Sequence, residues 1–438
     1  MSAQDLARLP RPGRWTRTPR QPRAAALAIW MTATLGCAVT AGCRSPAVET
    51  NHDRDRDKQL VELYSWWTAP GEADALEALV DAHHNAHPGA RIFNAASASG
   101  DSARAELDQR FLTNNPPDIF QEYVHDLRAV TTRAAGERMP LDDLFDRLGL
   151  RAVIFPEVLR DVTQDGHVVV MPVNVHRENA LFYNRKLFAA HHLTPPRTLP
   201  ELLATCRSLK AVGVIPLATA NQGWILRIMF NSLALGQMGS QRYYDYFSGK
   251  NLTDTRGLRQ AIDLFAEVLE NYVNPDSADD GFGWTNAAQA IYNGDAAMFL
   301  HGDWLKGYFL QLGWTGESDF GMVRAPGAAD FFLYGVDAFA LAKGARNQAG
   351  ALSFLETVAS PAGQVAFSRV KGSSPVRSDV PRGELDVLGR ETLNDLEHAR
   401  FRMLVRSRPE WEDAMAAFAR DHDRAKLLRA FVDAPPGV

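Results

Sequence analysis

Two adjacent tryptophans followed by a carboxylate are the residues of this chain best suited to recognise a ligand. Trp66 and Trp67 end an apolar run, and Glu72 follows shortly after them. Indole faces cover the weakly apolar face of a pyranose ring, while a carboxylate accepts hydrogen bonds from its hydroxyls. A lone tryptophan is more often a core residue. Neighbours on an extended segment point to opposite faces, however, so the pair favours carbohydrate recognition over burial of both rings.

Glu72 has a second explanation that needs no ligand. Residues 72–87 show helical spacing at Leu76, Leu79 and Val80. A carboxylate in the first turn of a helix interacts favourably with the helix dipole. The sequence leaves both roles of Glu72 open.

Strand and helix patterns alternate around these residues. Residues 60–66, 91–94 and 118–121 have strand patterns, and residues 72–87 and 102–112 have helical patterns between them. This order predicts an open α/β sheet. Ligands of such sheets bind outside the carboxyl ends of the strands, so we expect Trp66, Trp67 and Gln121 to converge.

The same alternation resumes later in the chain and predicts a second α/β unit. It begins after the apolar run at 168–173. The predicted strands are 180–183 and 216–219, and the predicted helices are 199–212, 225–235, 257–270 and 285–294.

The N-terminal segment has the pattern of an export signal. Six arginines between Arg8 and Arg23 precede an apolar run at 24–31, which is too short to span a membrane. The run leads to Thr40-Ala41-Gly42-Cys43, which resembles a bacterial lipobox with Thr40 in place of the usual Leu. We expect a lipoprotein signal peptide at 1–42 and lipidation of Cys43, so that a lipid alone holds the protein at a membrane; ordinary signal cleavage is the alternative.

The chain after this leader is acidic and has no means of forming an internal disulfide. The complete chain has a net charge of −5, and the leader carries six arginines against one acid, so the rest is more acidic still. No basic run follows Arg44, which argues against nucleic acid as a partner. Cys206 is the single cysteine after Cys43. Residues 43–58, which include NHDRDRDK, are expected to form a charged tether.

Several short blocks, in order along the chain, resemble those of one protein family. From Val61 almost to the C-terminus the chain resembles the extracellular solute-binding proteins of bacterial sugar-uptake ABC transporters, and among them the glucose/mannose-binding subgroup. The blocks are SWWTAPGE (65–72), PPDIFQ (116–121), MPVNVHRENALFYN (171–184), AAMFLHGDWLKGYF (296–309), APG (325–327), GVDAFALAKGARN (335–347) and KGSSPVRSDV (371–380).

The resemblance implies an α/β fold of two lobes, each a sheet flanked by helices. The implied N-terminal lobe comprises 59–174 plus 337–377, and the C-terminal lobe comprises 177–334 plus 380–438. The chain then crosses between the lobes three times, near 174–177, 334–337 and 377–380. Such crossings act as hinges, and a ligand that touches both lobes stabilises the closed form.

The resemblance also implies a set of ligand contacts. Trp66, Trp67 and Trp224 are expected to stack on the sugar, Trp304 to pack behind or beneath the ring, and polar side chains to bind its hydroxyls. The polar contacts are Glu72, Gln121, Asp303, Asp337 and Lys371. For Asp303 an N-cap role before a helix is the alternative.

The chain departs from the family pattern at two points that face the expected ligand. Tyr123 stands where relatives often have a small residue or a histidine, and Val336-Asp337 with Ser373-Ser374 stand where some have a lysine and a histidine. These departures leave the identity of the hexose open.

Two groups of histidines have structural explanations. Residues 176–179, His-Arg-Glu-Asn, are interpreted as an ion-paired brace at the first crossing. His83, His84 and His87 lack a neighbouring cysteine or acid cluster and are interpreted as surface residues, not as a metal site. No metal and no cofactor are expected.

These inferences predict a monomeric receptor in the periplasm or at the cell surface that captures a glucose- or mannose-like monosaccharide and delivers it to an ABC permease. A sensor of the same fold is one alternative. A glycoside hydrolase is another, with Glu72 and Asp303 as its carboxylate pair. The chain has no nucleophile elbow, no H-E-x-x-H motif and no Walker loop, and we expect it not to be an enzyme.

Overall fold

Two mixed sheets with flanking helices form the framework of the chain in a computed structural model that describes residues 60–95, 100–127, 136–279, 281–316 and 318–436. The expected signal peptide, tether and lipidation site at Cys43 lie outside these residues. The strands are β1 (Leu60–Tyr64), β2 (Arg91–Asn94), β3 (Ile119–Tyr123), β4 (Thr163–Gln164), β5 (His167–Val168), β6 (Met171–Arg177), β7 (Ala180–Asn184), β8 (Ile215–Leu217), β9 (Ala296–His301), β10 (Phe320–Arg324), β11 (Phe331–Leu341) and β12 (Phe401–Leu404).

Helices connect these strands and cover both sheets. The helices are α1 (Glu72–Ala86), α2 (Gly100–Leu112), α3 (Asp142–Arg147), α4 (Pro156–Asp161), α5 (Arg185–Ala190), α6 (Leu199–Ala211), α7 (Gly223–Met238), α8 (Ser240–Phe247), α9 (Thr255–Asn271), α10 (Trp284–Asn293), α11 (Leu305–Gln311), α12 (Gln348–Ala359), α13 (Pro361–Lys371), α14 (Val387–His398), α15 (Pro409–Asp421) and α16 (Arg424–Asp433). Single turns of 3-10 helix lie at Val124–Asp126, Leu150–Ala152, Pro275–Ala278 and Arg382–Glu384.

The larger sheet contains the strands that the sequence predicts near the first candidate residues. Its order is β12-β11-β3-β1-β2, and β6 also pairs with β11. β1 runs parallel to β2 and β3, whereas β11 runs antiparallel to β3 and β6. Helices α1, α12 and α13 bury apolar residues such as Leu79, Phe354 and Phe367 in its core. The predicted alternation of strand and helix over residues 60–121 is confirmed.

The smaller sheet holds the second α/β unit. Its order is β10-β7-β9-β8, with β7 antiparallel to β10 and β9, and β8 parallel to β9. On one side α7 and α9 pack through residues such as Phe230 and Phe265. On the other side α10 and α11 contribute Ile291, Leu305 and Phe309.

The two sheets are linked where β6 and β11 lie side by side. The chain leaves the larger sheet after Arg177 and enters the smaller one at Ala180. A second segment runs beside them, because the backbones of Val175 and Ser374 exchange hydrogen bonds of 2.8 and 2.9 Å. The register places Asp337 of β11 opposite Tyr123 of β3 and Asn174 of β6. β3, β6 and β11 therefore bring residues near 123, 174 and 337 next to one another.

Helix ends fix several of the candidate residues. Gly71, with a φ of 81°, directly precedes α1 and so places Glu72 at its first position. α13 ends at Lys371 because Gly372 takes a left-handed φ of 89°, a conformation that favours glycine at a helix C-terminus. α7 begins at Gly223, so Trp224 lies in its first turn. Among the described residues, no helix combines the length and apolar character required to cross a lipid bilayer.

Candidate functional site

The carboxyl ends of β1 and β3 bring Trp66, Gln121 and Tyr123 together. The backbone N–H of Trp66 donates to Oε1 of Gln121 at 3.1 Å. The indole of Trp66 packs on the ring of Tyr123 with 5.0 Å between centroids, and Tyr123 in turn stacks on His125 at 5.1 Å. Tyr123 therefore covers one side of the indole that the sequence singled out for stacking.

Trp67 lies on the opposite side of the segment and is part of the core. It is 1% exposed, and its ring packs against Phe339 at 5.6 Å and Phe367 at 4.9 Å. The expected stacking role does not match this position, because no indole face is open to a ligand. The sequence showed that the two indoles point apart, but the core partners of Trp67 come from β11 and α13, far along the chain.

Glu72 and Lys371 form an ion pair at the edge of the site. Nζ of Lys371 lies 2.5 Å from Oε1 of Glu72, and it also lies 5.5 Å from the centre of the Trp67 ring. Lys371 is 2% exposed, whereas the carboxylate of Glu72 remains partly open. Each of these expected ligand contacts thus has a protein partner, and the open side of Glu72 can still accept a hydroxyl.

His176 bridges two carboxylates at the point where β6 and β11 meet. Its Nδ1 lies 2.5 Å from Asp303, and its Nε2 lies 3.0 Å from Asp337. Burial disfavours the imidazolium, but the two carboxylates outweigh burial and raise the pKa of His176 to about 9. Burial acts to raise the pKa of Asp337, yet His176 holds it below the ordinary value. His176 is therefore charged at neutral pH.

Both carboxylate oxygens of Asp303 already have partners. One faces His176, and the other accepts the backbone N–H of Arg177 at 2.8 Å. The alternative N-cap role is wrong, since α11 begins without a side-chain cap. Asp303 instead ties the turn after β9 to the end of β6. The sequence could not show this, because its partner His176 lies 127 residues away.

The predicted ion-paired brace at residues 176–179 is confirmed by its contacts. Nη2 of Arg177 lies 2.7 Å from Asp395, and burial lowers the pKa of Arg177 to about 10. Glu178 accepts a hydrogen bond of 2.7 Å from Nη1 of Arg227 in α7. This segment is therefore bound to elements on both sides of the point where the chain passes between the sheets.

Three tryptophans, Trp224, Trp284 and Trp304, surround His301 at the edge of the smaller sheet, and we call this group the tryptophan cluster. The ring of His301 lies 5.9, 5.5 and 4.9 Å from their respective centroids. Burial lowers the pKa of His301 to about 3, so the ring is neutral. The cluster joins the rest of the site because Trp304 also contacts His176 at 4.9 Å.

Trp284 and His301 are members of the site that sequence reasoning missed. Trp284 opens α10 as an ordinary helix residue, and His301 lies at the end of a wholly buried strand, so neither has a local pattern that indicates function. The neighbouring Gly302 constrains the same group of side chains. Gly302 precedes Asp303, and a Cβ atom there would lie 1.8 Å from the Trp304 indole, so the ring folds back over a position that only glycine allows.

Some polar groups between the strands remain available to a ligand. Oδ1 of Asp337 and the hydroxyls of Ser373 and Ser374 are buried without a hydrogen-bond partner among the described residues. The side-chain amide of Gln121 is close enough to Asp337 to help lower its pKa, although it is not in hydrogen-bond geometry. Buried polar groups normally have partners, so these atoms are candidates for contact with a bound molecule.

In the described ranges, no three His, Cys, Asp or Glu side chains are arranged so that they could hold a metal ion. The prediction that His83 lies on the surface is wrong, because it is buried against Phe354 and its Nδ1 lies 2.8 Å from the hydroxyl of Thr357. Burial also lowers the pKa of His83 to about 4.

Sequence comparisons find relatives over most of the chain. A family model described as a bacterial extracellular solute-binding protein matches residues 69–365. An uncharacterised ABC transporter extracellular-binding protein of Pyrococcus horikoshii is 29% identical over 374 residues, which cover 84% of this chain and 83% of the relative. A probable sugar-binding periplasmic protein of Brucella suis is 30% identical over 371 residues, covering 84% and 85%.

A solved structure shares the arrangement of both sheets. The bacterial solute receptor AcbH, described as having an exclusive preference for β-D-galactopyranose, superposes with a TM-score of 0.72 at 17% identity. The match covers 86% of this chain and 98% of that one. The predicted two-lobed α/β fold, with a sheet flanked by helices in each lobe, is confirmed.

Proposed function

Because the chain belongs to the family of bacterial extracellular solute-binding proteins, we propose that it is the sugar-binding component of an ABC importer. The name of the Brucella relative supports a sugar as the ligand, and that of the Pyrococcus relative supports an ABC transporter. The observation that carries the proposal is the meeting of indole faces with buried polar groups. Trp66 packs on Tyr123, which lies opposite Asp337 in the sheet, and His176 joins Asp337 to Trp304 of the tryptophan cluster.

Separate residues provide stacking and hydroxyl recognition in this proposal. Trp66 and Trp224 stack on the sugar, and Trp304 packs beside it. Asp337 and Gln121 bind hydroxyls through Oδ1 and Nε2, the atoms without a hydrogen bond to protein. Glu72 contributes its open side while Lys371 holds it in place.

Trp67 and Asp303 hold other site residues in place and do not contact the sugar. Trp67 is the apolar surface beneath Lys371, and Asp303 anchors His176. A carboxylate beside an imidazolium fixes the orientation of that ring, and His176 in turn orients Asp337. The direct contacts and the supporting residues thus belong to one connected network.

Ligand binding is coupled to closure of the lobes. We assign residues 59–174 plus 337–377 to one lobe and residues 177–334 plus 380–438 to the other. Trp66, Gln121 and Asp337 then come from the first lobe, and Trp224 and Trp304 from the second. A ligand between them favours the closed form in proportion to its extra affinity for that form. A permease can use this difference to tell loaded from empty receptor.

The proposed ligand is a monosaccharide of the glucose or mannose type. The sequence blocks of that subgroup support it, and Tyr123 packs against Trp66 where the sugar is proposed to stack. The protein acts as a monomer in the periplasm or at the cell surface, with a lipid on Cys43 as its attachment to a membrane. No cofactor is part of the proposal.

Titration of the mature protein with sugars tests the proposal. Calorimetry and tryptophan fluorescence would be recorded with glucose, mannose, galactose, xylose, maltose and cellobiose. Saturable binding of an aldohexose with a fluorescence change supports it. Binding of disaccharides in preference to every monosaccharide would contradict the proposed ligand size, and no binding at all would contradict the sugar.

The same samples test whether the protein alters its ligand. Glu72 is paired with Lys371, and Asp303 is paired with His176, so neither carboxylate is an unpaired acid or base. We therefore propose recognition without reaction. Incubation with hexosyl glycosides should return them unchanged in chromatography, whereas released hexose would favour a carbohydrate-active enzyme.

A further inference from the structure

Three glycines allow backbone segments of the two lobes to meet beside the candidate site. Gly71 precedes α1 and Gly372 follows α13, and both helices pack on the larger sheet through residues such as Leu79 and Phe367. Gly307 lies in α11, which packs with the smaller sheet. The contact of these glycines, which we call the three-glycine contact, therefore joins the two lobes.

The approach is too close for any side chain. A Cβ atom on Gly71 would lie 2.7 Å from the carbonyl carbon of Gly307, and one on Gly307 would lie 2.6 Å from the carbonyl oxygen of Lys371. A Cβ atom on Gly372 would lie 2.9 Å from the carbonyl oxygen of Asp303. Real Cβ atoms essentially never come within 3.0 Å of such atoms. A methyl group at any of these positions must therefore push the segments apart.

Each glycine adjoins a residue of the candidate site. Glu72 follows Gly71, Lys371 precedes Gly372, and Asp303 lies one helical turn before Gly307. We propose that the three-glycine contact sets the spacing between these site residues, and that Gly307 is a positioning residue for sugar binding. This inference rests on the proposed function and deepens it, because it adds a residue that touches no ligand.

Gly307 permits a cleaner test than its two partners. Gly71 and Gly372 have φ angles of 81° and 89°, so any substitution there also strains the backbone. Gly307 lies within a helix and has no such angle. Alanine is a better helix former than glycine, so Gly307→Ala adds a methyl group without a local backbone penalty. A loss of binding in this variant would come from the displaced segments.

The experiment compares the mature wild-type protein with Gly307→Ala and a matched control. The control is Gly383→Ala, because Gly383 lies in a 3-10 turn with nothing within 4 Å of a built Cβ atom. The dissociation constant for glucose, or for the sugar that the wild type binds best, would be measured by calorimetry, and unfolding would be followed by circular dichroism. We expect Gly307→Ala to bind roughly tenfold or more weakly, since small misplacements of contact groups are costly, and to unfold cooperatively. Gly383→Ala should bind as the wild type does.

A double-mutant cycle identifies the route of the effect. If Gly307 acts through Lys371, then Gly307→Ala should weaken binding less in a Lys371→Met background than in the wild type. Unchanged affinity in Gly307→Ala or a chain that fails to fold would overturn the proposal, and equal losses in both backgrounds would overturn the route through Lys371. Failure of the wild type to bind any sugar would refute the proposed function as well, whereas normal binding by Gly307→Ala refutes this inference alone.

Discussion

Nζ of Lys371 lies 2.5 Å from Oε1 of Glu72, so two residues implied as separate ligand contacts neutralise each other. The cation is buried above Trp67, and the carboxylate is the more open partner. A ligand that binds Glu72 therefore meets a carboxylate whose orientation is already fixed. We therefore expect Lys371 to support affinity without touching the sugar.

Substitution of Lys371 by methionine should weaken sugar binding. Methionine keeps most of the side-chain volume over Trp67 but leaves Glu72 without its cation. We expect a loss of about 2 kcal/mol in binding free energy, at the low end for a truncated charge pair because Glu72 is partly open to solvent. Calorimetry with the preferred sugar measures this loss. Glu72→Gln should cause a similar loss, and undiminished affinity in both variants would exclude a role for the pair.

Trp66 and Trp67 should respond to alanine in different ways. Trp66 packs on Tyr123 at the edge of the site, whereas Trp67 is enclosed by Phe339 and Phe367. Trp66→Ala should cost about 2 kcal/mol or more of binding free energy and leave a cooperative unfolding transition. Trp67→Ala should instead lower the free energy of unfolding by about 3–5 kcal/mol. Calorimetry measures the binding of each variant, and urea unfolding measures its stability. If Trp67→Ala lost binding and Trp66→Ala lost stability, the stacking role would belong to Trp67.

Tyr123 should control which sugars are accepted. Its ring covers one side of Trp66 and lies opposite Asp337 in the sheet. Tyr123→Ala uncovers the indole, so we expect the ratio of disaccharide to monosaccharide affinity to rise roughly tenfold. Tyr123→Phe keeps the ring and should keep the wild-type ratio. A ratio that is the same in all three proteins would show that this ring does not limit ligand size.

The charge on His176 should make stability depend on pH. The folded-state pKa of about 9 lies above the value of about 6.5 expected for an unfolded histidine. Its stabilisation is therefore complete below about pH 6.5 and is lost as pH rises through about 9, by an amount on the order of a few kcal/mol. Urea unfolding between pH 6 and 9.5 measures the loss.

His176→Gln supplies the control for this pH dependence. Glutamine keeps one N–H donor group for the carboxylates but does not titrate, so the decline in the free energy of unfolding between pH 6.5 and 9 should flatten. The variant should also be less stable than the wild type at pH 6, because Asp303 and Asp337 lose their shared cation. An equally steep decline in the variant would assign the effect to other groups.

The tryptophan cluster should depend on glycine at position 302. A Cβ atom there would lie 1.8 Å from the Trp304 indole. Gly302→Ala should therefore displace that ring and lower sugar affinity by roughly tenfold or more. Tryptophan fluorescence of the empty protein should change as well, because Trp304 contacts Trp224 at 6.1 Å. An unaltered spectrum and affinity would show that the ring can be moved without consequence.

Local sequence patterns predicted the strands and helices. Whether a side chain on them is buried or open to a ligand depended on contacts with residues far along the chain. The alternation of strand and helix over residues 60–121 depends on the spacing of neighbouring apolar side chains, so the sequence predicts it. The difference between Trp66 and Trp67 depends on Phe339 and Phe367, which approach from β11 and α13. His83 lies on what reads as a polar helix face, yet Thr357 and Phe354 cover it. No spacing rule links residues so far apart.

In the candidate site, too, the sequence predicted individual residues but not the long-range contacts between them. The sequence blocks pointed to Asp303 and Asp337 as separate acceptors, but not to the imidazolium that joins them. The predicted brace at residues 176–179 includes His176, but the sequence could not identify its partners, which lie 127 and 161 residues away. His301 and Trp284 were missed because burial of a neutral histidine among indoles has no sequence signature.

The burial of the uncommitted atoms at Asp337, Ser373 and Ser374 has a kinetic consequence. A ligand held among atoms that solvent cannot reach has no path outward while the lobes stay together. In the proposed receptor its residence time is set by how often the lobes separate, and a sugar that stabilises the closed form more strongly should leave more slowly. Preference among sugars would then appear in how long each one is retained before delivery.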